Sequence, residues 1–100
     1  MLWCITCVDK PGDSTARLSV LETHRAYLKT QDDKIVMSGA TLSDDGETMT
    51  GSCFIISANS RSEAEAFSNG DPFTAAGVFE SVNITRLKKS SFYPDYYEKA

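Results

Sequence analysis

The order of strand-like and helix-like segments predicts an α+β fold. Four strands and two helices alternate as βαββαβ, which gives a ferredoxin-like sheet with both helices on one face. Three observations carry this. The turn clusters Asp9-Lys10-Pro11-Gly12-Asp13 and Ser43-Asp44-Asp45-Gly46-Glu47 punctuate the apolar segments. Ser14 to about Lys29 repeats its apolar residues at helical spacing. Ser60-Arg61-Ser62-Glu63 is a capping box, which marks the start of a second helix.

Leu2 to Val8 is the first strand, rich in β-branched and aromatic residues. Asp13 or Ser14 can cap the first helix, because either side-chain oxygen can accept from an orphan amide. Lys34 to Ala40 is the second strand, with Gly39 near its end, and Gly51 to Ser57 is the third, pairing with it as a hairpin. After the capping box, Ala64, Ala66 and Phe67 supply a short helix with Gly70 as its left-handed terminator. Asp71-Pro72-Phe73 opens a turn or a single helical turn. Val78 to Leu87 is the fourth strand, with Val78, Val82 and Ile84 on one side and Phe79 and Leu87 on the other. The chain reads as one domain over 1–100, with 88–100 as a Tyr-rich C-terminal extension broken by Pro94.

The first strand is apolar on both sides: Leu2, Cys4 and Val8 on one, Trp3, Ile5 and Cys7 on the other. Two helices cover one face of the sheet, so the other needs a second sheet. A homodimer packed face to face through the sheet is the simplest solution. Phe92, Tyr93, Tyr96 and Tyr97 of the extension then dock on the partner, line a cavity edge or pack as a surface extension.

The formal net charge is -4 and there is no long basic run, which argues against nucleic acid as a partner. No apolar run is long enough to cross a bilayer, and the first residues lack the basic region of a signal peptide, so no membrane association and a cytoplasmic location are expected. Cys4, Cys7 and Cys53 are an odd set, read as free thiols that fill the core. Cys4-Ile-Thr-Cys7 lies within a strand and has no second pair, so neither a zinc site nor a thioredoxin-type motif is read from it.

The informative misfit is on the first helix. At about 100° per residue, Ala16, Leu18, Val20, Leu21, Tyr27 and Leu28 form an apolar arc, and Arg17 and His24 fall in its middle. A buried cation without a partner costs several kcal/mol, so each needs an acceptor, a ligand or a cavity. Asp71 is a second candidate, at a loop edge after Gly70 and held extended by the proline that follows.

Taken together, the pattern Arg17…His24…Tyr27-Leu28, Gly39, Gly51-Ser52 and Asp71-Pro72-Phe73…Ala76-Gly77-Val78 resembles the YCII-related family, a branch of the dimeric α+β barrels. The likeness spans roughly residues 1 to 90, and the extension departs from it. The resemblance implies a His and an Asp facing one another in a cleft beside the sheet, at His24 and Asp71, with Arg17 and Ser52 lining the same cleft. It also implies proton transfer on small oxygenated rings. One branch of the family removes HCl from a chlorinated hydroxyquinol, and the wider superfamily includes muconolactone isomerases.

The chemistry suits those residue types. Imidazole is the side chain best matched to general acid–base work near neutrality, and a carboxylate on one ring nitrogen fixes its tautomer. Arg17 cannot act as a base and is expected to hold an anionic substrate oxygen. Ser52 can donate to the same oxygen but lacks the setting of a nucleophile. With one His and scattered carboxylates, neither a metal nor another cofactor is expected. Each residue also has a plainer reading. His24 can be a core histidine on a backbone carbonyl, Arg17 can pair with Asp71 or Glu80, Asp71 can be a cap, and Ser52 can be structural. The expectation is a cofactor-free dehydrochlorinase or lyase with a small-molecule substrate. A lactone isomerase, a non-catalytic dimeric ligand-binding module and an accessory subunit are the alternatives.

Overall fold

The computed structural model describes residues 1–12 and 14–100. The element order is β1 (Leu2–Asp9), α1 (Thr15–Ser19), α2 (Leu21–Thr30), β2 (Ile35–Leu42), β3 (Met49–Ser57), α3 (Arg61–Gly70), α4 (Pro72–Ala75), β4 (Phe79–Leu87) and α5 (Pro94–Lys99). The strands form one antiparallel sheet in the order β2-β3-β1-β4. This is the α+β, ferredoxin-like βαββαβ arrangement that the sequence predicts, with three short helical additions. No helix among the described residues is long and apolar enough to cross a membrane.

Alternation along β1 decides where the core lies. Trp3, Ile5 and Cys7 face the helices and are buried, and Phe54 and Ile56 of β3 join them on the same face. Ala58, Ala64 and Phe67 close the cluster from the α3 side. The Trp3 indole N–H donates to the Ala58 carbonyl at 3.1 Å, so the ring is buried without an orphan donor.

The opposite face carries no helix. The register puts Leu2, Cys4, Thr6 and Val8 of β1 beside Ser57, Ile55, Cys53 and Gly51 of β3, and beside Leu87, Thr85, Asn83 and Ser81 of β4. Met37, Gly39 and Thr41 of β2 extend the row. None of these positions is charged, in a chain that is 24% charged. Val8, Met37 and Leu87 stand exposed there. Cys4 and Cys53 are half-buried on this open face, so of the three free thiols only Cys7 is a core residue.

Several expectations are corrected. The first helix is not continuous: it stops at Ser19 and restarts at Leu21 around Val20, whose backbone is non-helical (φ -119, ψ 13). The Ser19 hydroxyl donates to the Ala16 carbonyl at 2.8 Å, the kind of local bond that competes with helix continuation, and Val20 is β-branched. The break rotates the first turn, so Ala16 and Leu18 leave the core while Arg17 and His24 both remain buried. Ser14 occupies the N-cap but makes no side-chain cap bond, and the alternative cap Asp13 lies outside the described residues.

Phe79 lies on the helix side, not opposite Ile84. Val8 pairs with Ser81 and Asp9 with Phe79, so Glu80 is an extra residue, and this bulge flips the parity of the strand. Gly39 sits inside β2, which runs on to Leu42. The capping box closes one residue early: Glu63 N–H donates to Ser60 Oγ at 3.2 Å, but the Glu63 carboxylate accepts from the Asn59 amide at 2.8 Å. Pro94 does not break the extension; it starts α5, where its fixed φ suits the first helical turn.

Gly70 is not a left-handed terminator; the glycines at positive φ are Gly12, Gly46 and Gly77. Its reason is space. A Cβ at Gly70 would lie 2.6 Å from the Tyr27 hydroxyl, which is itself held by a 2.7 Å bond to the Phe67 carbonyl. Alanine in place of a helical glycine ordinarily stabilises by about 1 kcal/mol. Here Gly70→Ala is expected to destabilise, by about 1–3 kcal/mol, because the anchored phenol must move. Urea denaturation checks the sign, and the double variant Tyr27→Phe/Gly70→Ala should recover part of the loss.

Candidate active site

Three segments bring the buried polar groups together: the end of β1 with α1 and α2, the start of β3, and the corner between α3 and α4. Arg17, His24, Ser52 and Asp71 are all among the buried polar residues, at 3%, 7%, 3% and 2% exposure. All four sequence candidates are therefore inside: His24 and Asp71 pair with one another, and Arg17 pairs with Asp9 and bonds Ser52.

The first pair is His24 and Asp71. His24 Nδ1 lies 2.7 Å from Asp71 Oδ1, across 47 residues of chain. The same Oδ1 accepts from the Phe73 amide at 2.9 Å, as the N-cap of α4. The capping reading of Asp71 and the functional reading therefore hold together. Its extended backbone (φ -67, ψ 124) is the conformation favoured before proline, and it turns the chain from α3 into α4. A carboxylate accepting at Nδ1 places the ring proton there and leaves Nε2 with a free lone pair. Among the described residues Nε2 has no hydrogen-bond partner, and no buried side-chain nitrogen or oxygen lacks one. Nε2 is therefore the ring nitrogen that meets accessible space.

The second pair is Arg17 and Asp9. Arg17 Nε and Nη2 bond both oxygens of Asp9 at 2.8 Å each, a bidentate fork, and Nη2 also donates to Ser52 Oγ at 3.0 Å. Neither Asp71 nor Glu80 is its partner. Ser52 holds the guanidinium. Among the described residues Nη1 has no hydrogen-bond partner.

Phe73 joins the pairs. It is fully buried, and the imidazole stacks on it with centroids 3.8 Å apart and an interplanar angle of 11°. The Arg17 guanidinium carbon lies 4.6 Å from the same ring's centroid, and Phe79, turned inward by the bulge, meets Phe73 edge to face at 5.8 Å. Asp9 and Phe73 were not singled out in the sequence. Asp9 had a signal, since it continues the inward alternation Trp3, Ile5, Cys7; for Phe73 the only signal was its place beside Asp71-Pro72.

Cys7 lies near both pairs. Burial, and then the Asp71 charge, push its thiol up to about 12, so it is a neutral core group and not a nucleophile. Burial followed by the same carboxylate also raises the Tyr27 phenol. Among the described residues, no three His, Cys, Asp or Glu side chains are grouped to hold a metal ion.

The fold and site define a small antiparallel α+β protein of ferredoxin-like topology with a buried His–Asp couple beside its sheet. The sequence matches the YCII-related domain over residues 1–88, and the chain belongs to that family. It is 33% identical over 96 residues to Protein YciI of Escherichia coli O6:H1, an alignment covering 89% of this chain and 98% of that one, and equally to Protein YciI of Shigella flexneri. Among solved structures it is similar to the 5-chloro-2-hydroxyhydroquinone dehydrochlorinase (TftG) of Burkholderia phenoliruptrix AC1100, in complex with 2,5-dihydroxybenzoquinone. The TM-score is 0.82 at 37% identity, covering 90% of this chain and 96% of that one.

Proposed function

We propose that this protein is a cofactor-free enzyme that removes HCl from a chlorinated hydroxyquinol, with His24 as general base and Asp71 as the group that orients it. The observation that carries this is the 2.7 Å bond from Nδ1 to Asp71, with Nε2 left without a partner among the described residues. Nε2 takes a ring-hydroxyl proton and a proton is returned to the chlorine-bearing carbon, which gives the keto form; loss of a second hydroxyl proton then expels chloride as the C–Cl bond breaks. The balance is loss of HCl alone, so no redox partner is needed. Arg17 presents Nη1 to a ring oxygen, while Asp9 and Ser52 hold its other nitrogens. The likeness to a dehydrochlorinase at 37% identity supports the substrate class.

The uncharged open face of the sheet supports a homodimer through that face. Three free thiols suit a reducing, cytoplasmic setting.

Chloride release by the purified protein tests the reading, with chlorinated and unchlorinated hydroxyquinols supplied side by side. Stoichiometric chloride from the chlorinated ring is the expected result. No release above the uncatalysed rate, with ligand still bound, would leave a non-catalytic binding protein in its place.

A further inference from the structure

The family match stops at residue 88, one residue past the end of β4, so the extension belongs to this chain and not to the shared fold. We propose that this extension is a clasp, by which each copy of the chain holds a second copy across the open sheet face. The inference rests on the reading of that face as a dimer interface.

Its local physics is the starting point. α5 is six residues long and none of its residues is buried. Isolated helices shorter than about 12 residues are marginal in water, so a partner must supply what holds this one. Phe92, Tyr93, Tyr96 and Tyr97 are 71%, 67%, 67% and 62% exposed. Four rings that bury about 150–250 Å² each when fully packed offer, at this exposure, on the order of 500 Å² per copy. A stable interface takes about 800 Å² per partner. Such rings are also the side chains most often found as binding hot spots.

Position selects the occupant. A hollow of about 680 Å³ lies between the sheet and the extension, with Leu2, Met37, Ile55 and Leu87 on one side and Lys88 to Phe92 on the other. The extension therefore adjoins the open face at its Leu2–Leu87 end, with Lys88 and Lys89 at the join. A second copy brings an equally uncharged face, and a two-fold axis brings its own extension to the opposite end.

Sedimentation equilibrium of the full-length protein and of the full-length variant Tyr93→Ser/Tyr96→Ser/Tyr97→Ser tests the clasp. The wild type is expected to be dimeric at micromolar concentration, and the variant's dimer Kd to rise tenfold or more with an unchanged far-ultraviolet circular dichroism spectrum of the sheet. A wild-type dimer with a rise of less than tenfold overturns the clasp and leaves the dimer reading standing. A wild type that stays monomeric at 100-fold higher concentration overturns both.

Discussion

Turnover in His24→Asn is expected to fall by about 10²–10⁴, the usual range for losing a positioned general base. Asparagine is the informative replacement because its amide nitrogen can take the place of Nδ1 and still donate to Asp71, while nothing replaces Nε2. Stability should therefore change by no more than about 1 kcal/mol, the worth of an ordinary hydrogen bond. His24→Ala would remove the base too, but it leaves the Asp71 carboxylate buried at 2% exposure with its ring partner gone. Asp71→Asn should cost a comparable factor, since an amide no longer dictates which ring nitrogen carries the proton. Chloride release under saturating substrate, alongside thermal melting, checks the pair. Full activity in His24→Asn would remove the imidazole from the reaction, whatever its place in the fold.

Asp9→Ala should be the most destabilising single change at the site. It leaves the Arg17 guanidinium, 3% exposed, beside Ser52 Oγ and the Phe73 and Phe79 rings with no carboxylate partner among the described residues. Breaking a buried pair from one side costs about 3–5 kcal/mol. For a domain of this size that is a fall in Tm of more than about 10 °C. The double variant Asp9→Leu/Arg17→Met removes both charges, and it should regain much of that loss because an apolar pair of similar volume is often neutral. Recovery in the double variant would show that the cost belongs to the uncompensated charge and not to lost packing. Catalysis separates the roles further: if Nη1 holds a ring oxygen, the stable double variant remains a poor enzyme.

Much of this arrangement was legible in the residue pattern, and particular physics hid the rest. Alternation in β1 sorted its residues into two faces, though both were apolar and neither was marked as inward, and Ser60 gave the start of α3. His24 and Arg17 stood out because a charged or titratable group on an apolar arc needs a partner. The break at Val20 was not legible, since it depends on one hydroxyl bond from Ser19. The Glu80 bulge was hidden for a similar reason: one extra residue leaves composition unchanged but reverses every side chain before it. The Asp9–Arg17 fork is a tertiary pairing. Asp9 looked like a turn residue because Pro11 and Gly12 follow it, and only its continuation of the inward alternation pointed elsewhere. The meeting of His24 with Asp71 came from family likeness, because nothing in the spacing of residues 47 apart fixes a contact.

One oxygen atom answers to two masters at the α3–α4 corner. Asp71 Oδ1 receives both the Phe73 backbone amide and the imidazole. The amide of Phe73 is thus a built-in sentinel for the ring above it: whatever displaces or protonates that oxygen frees the corner and the histidine in the same instant. A designer who wants to retune the reaction therefore has a fixed hinge-pin to respect. Novelty has to be written around Nε2, on the side of the ring facing away from that joint.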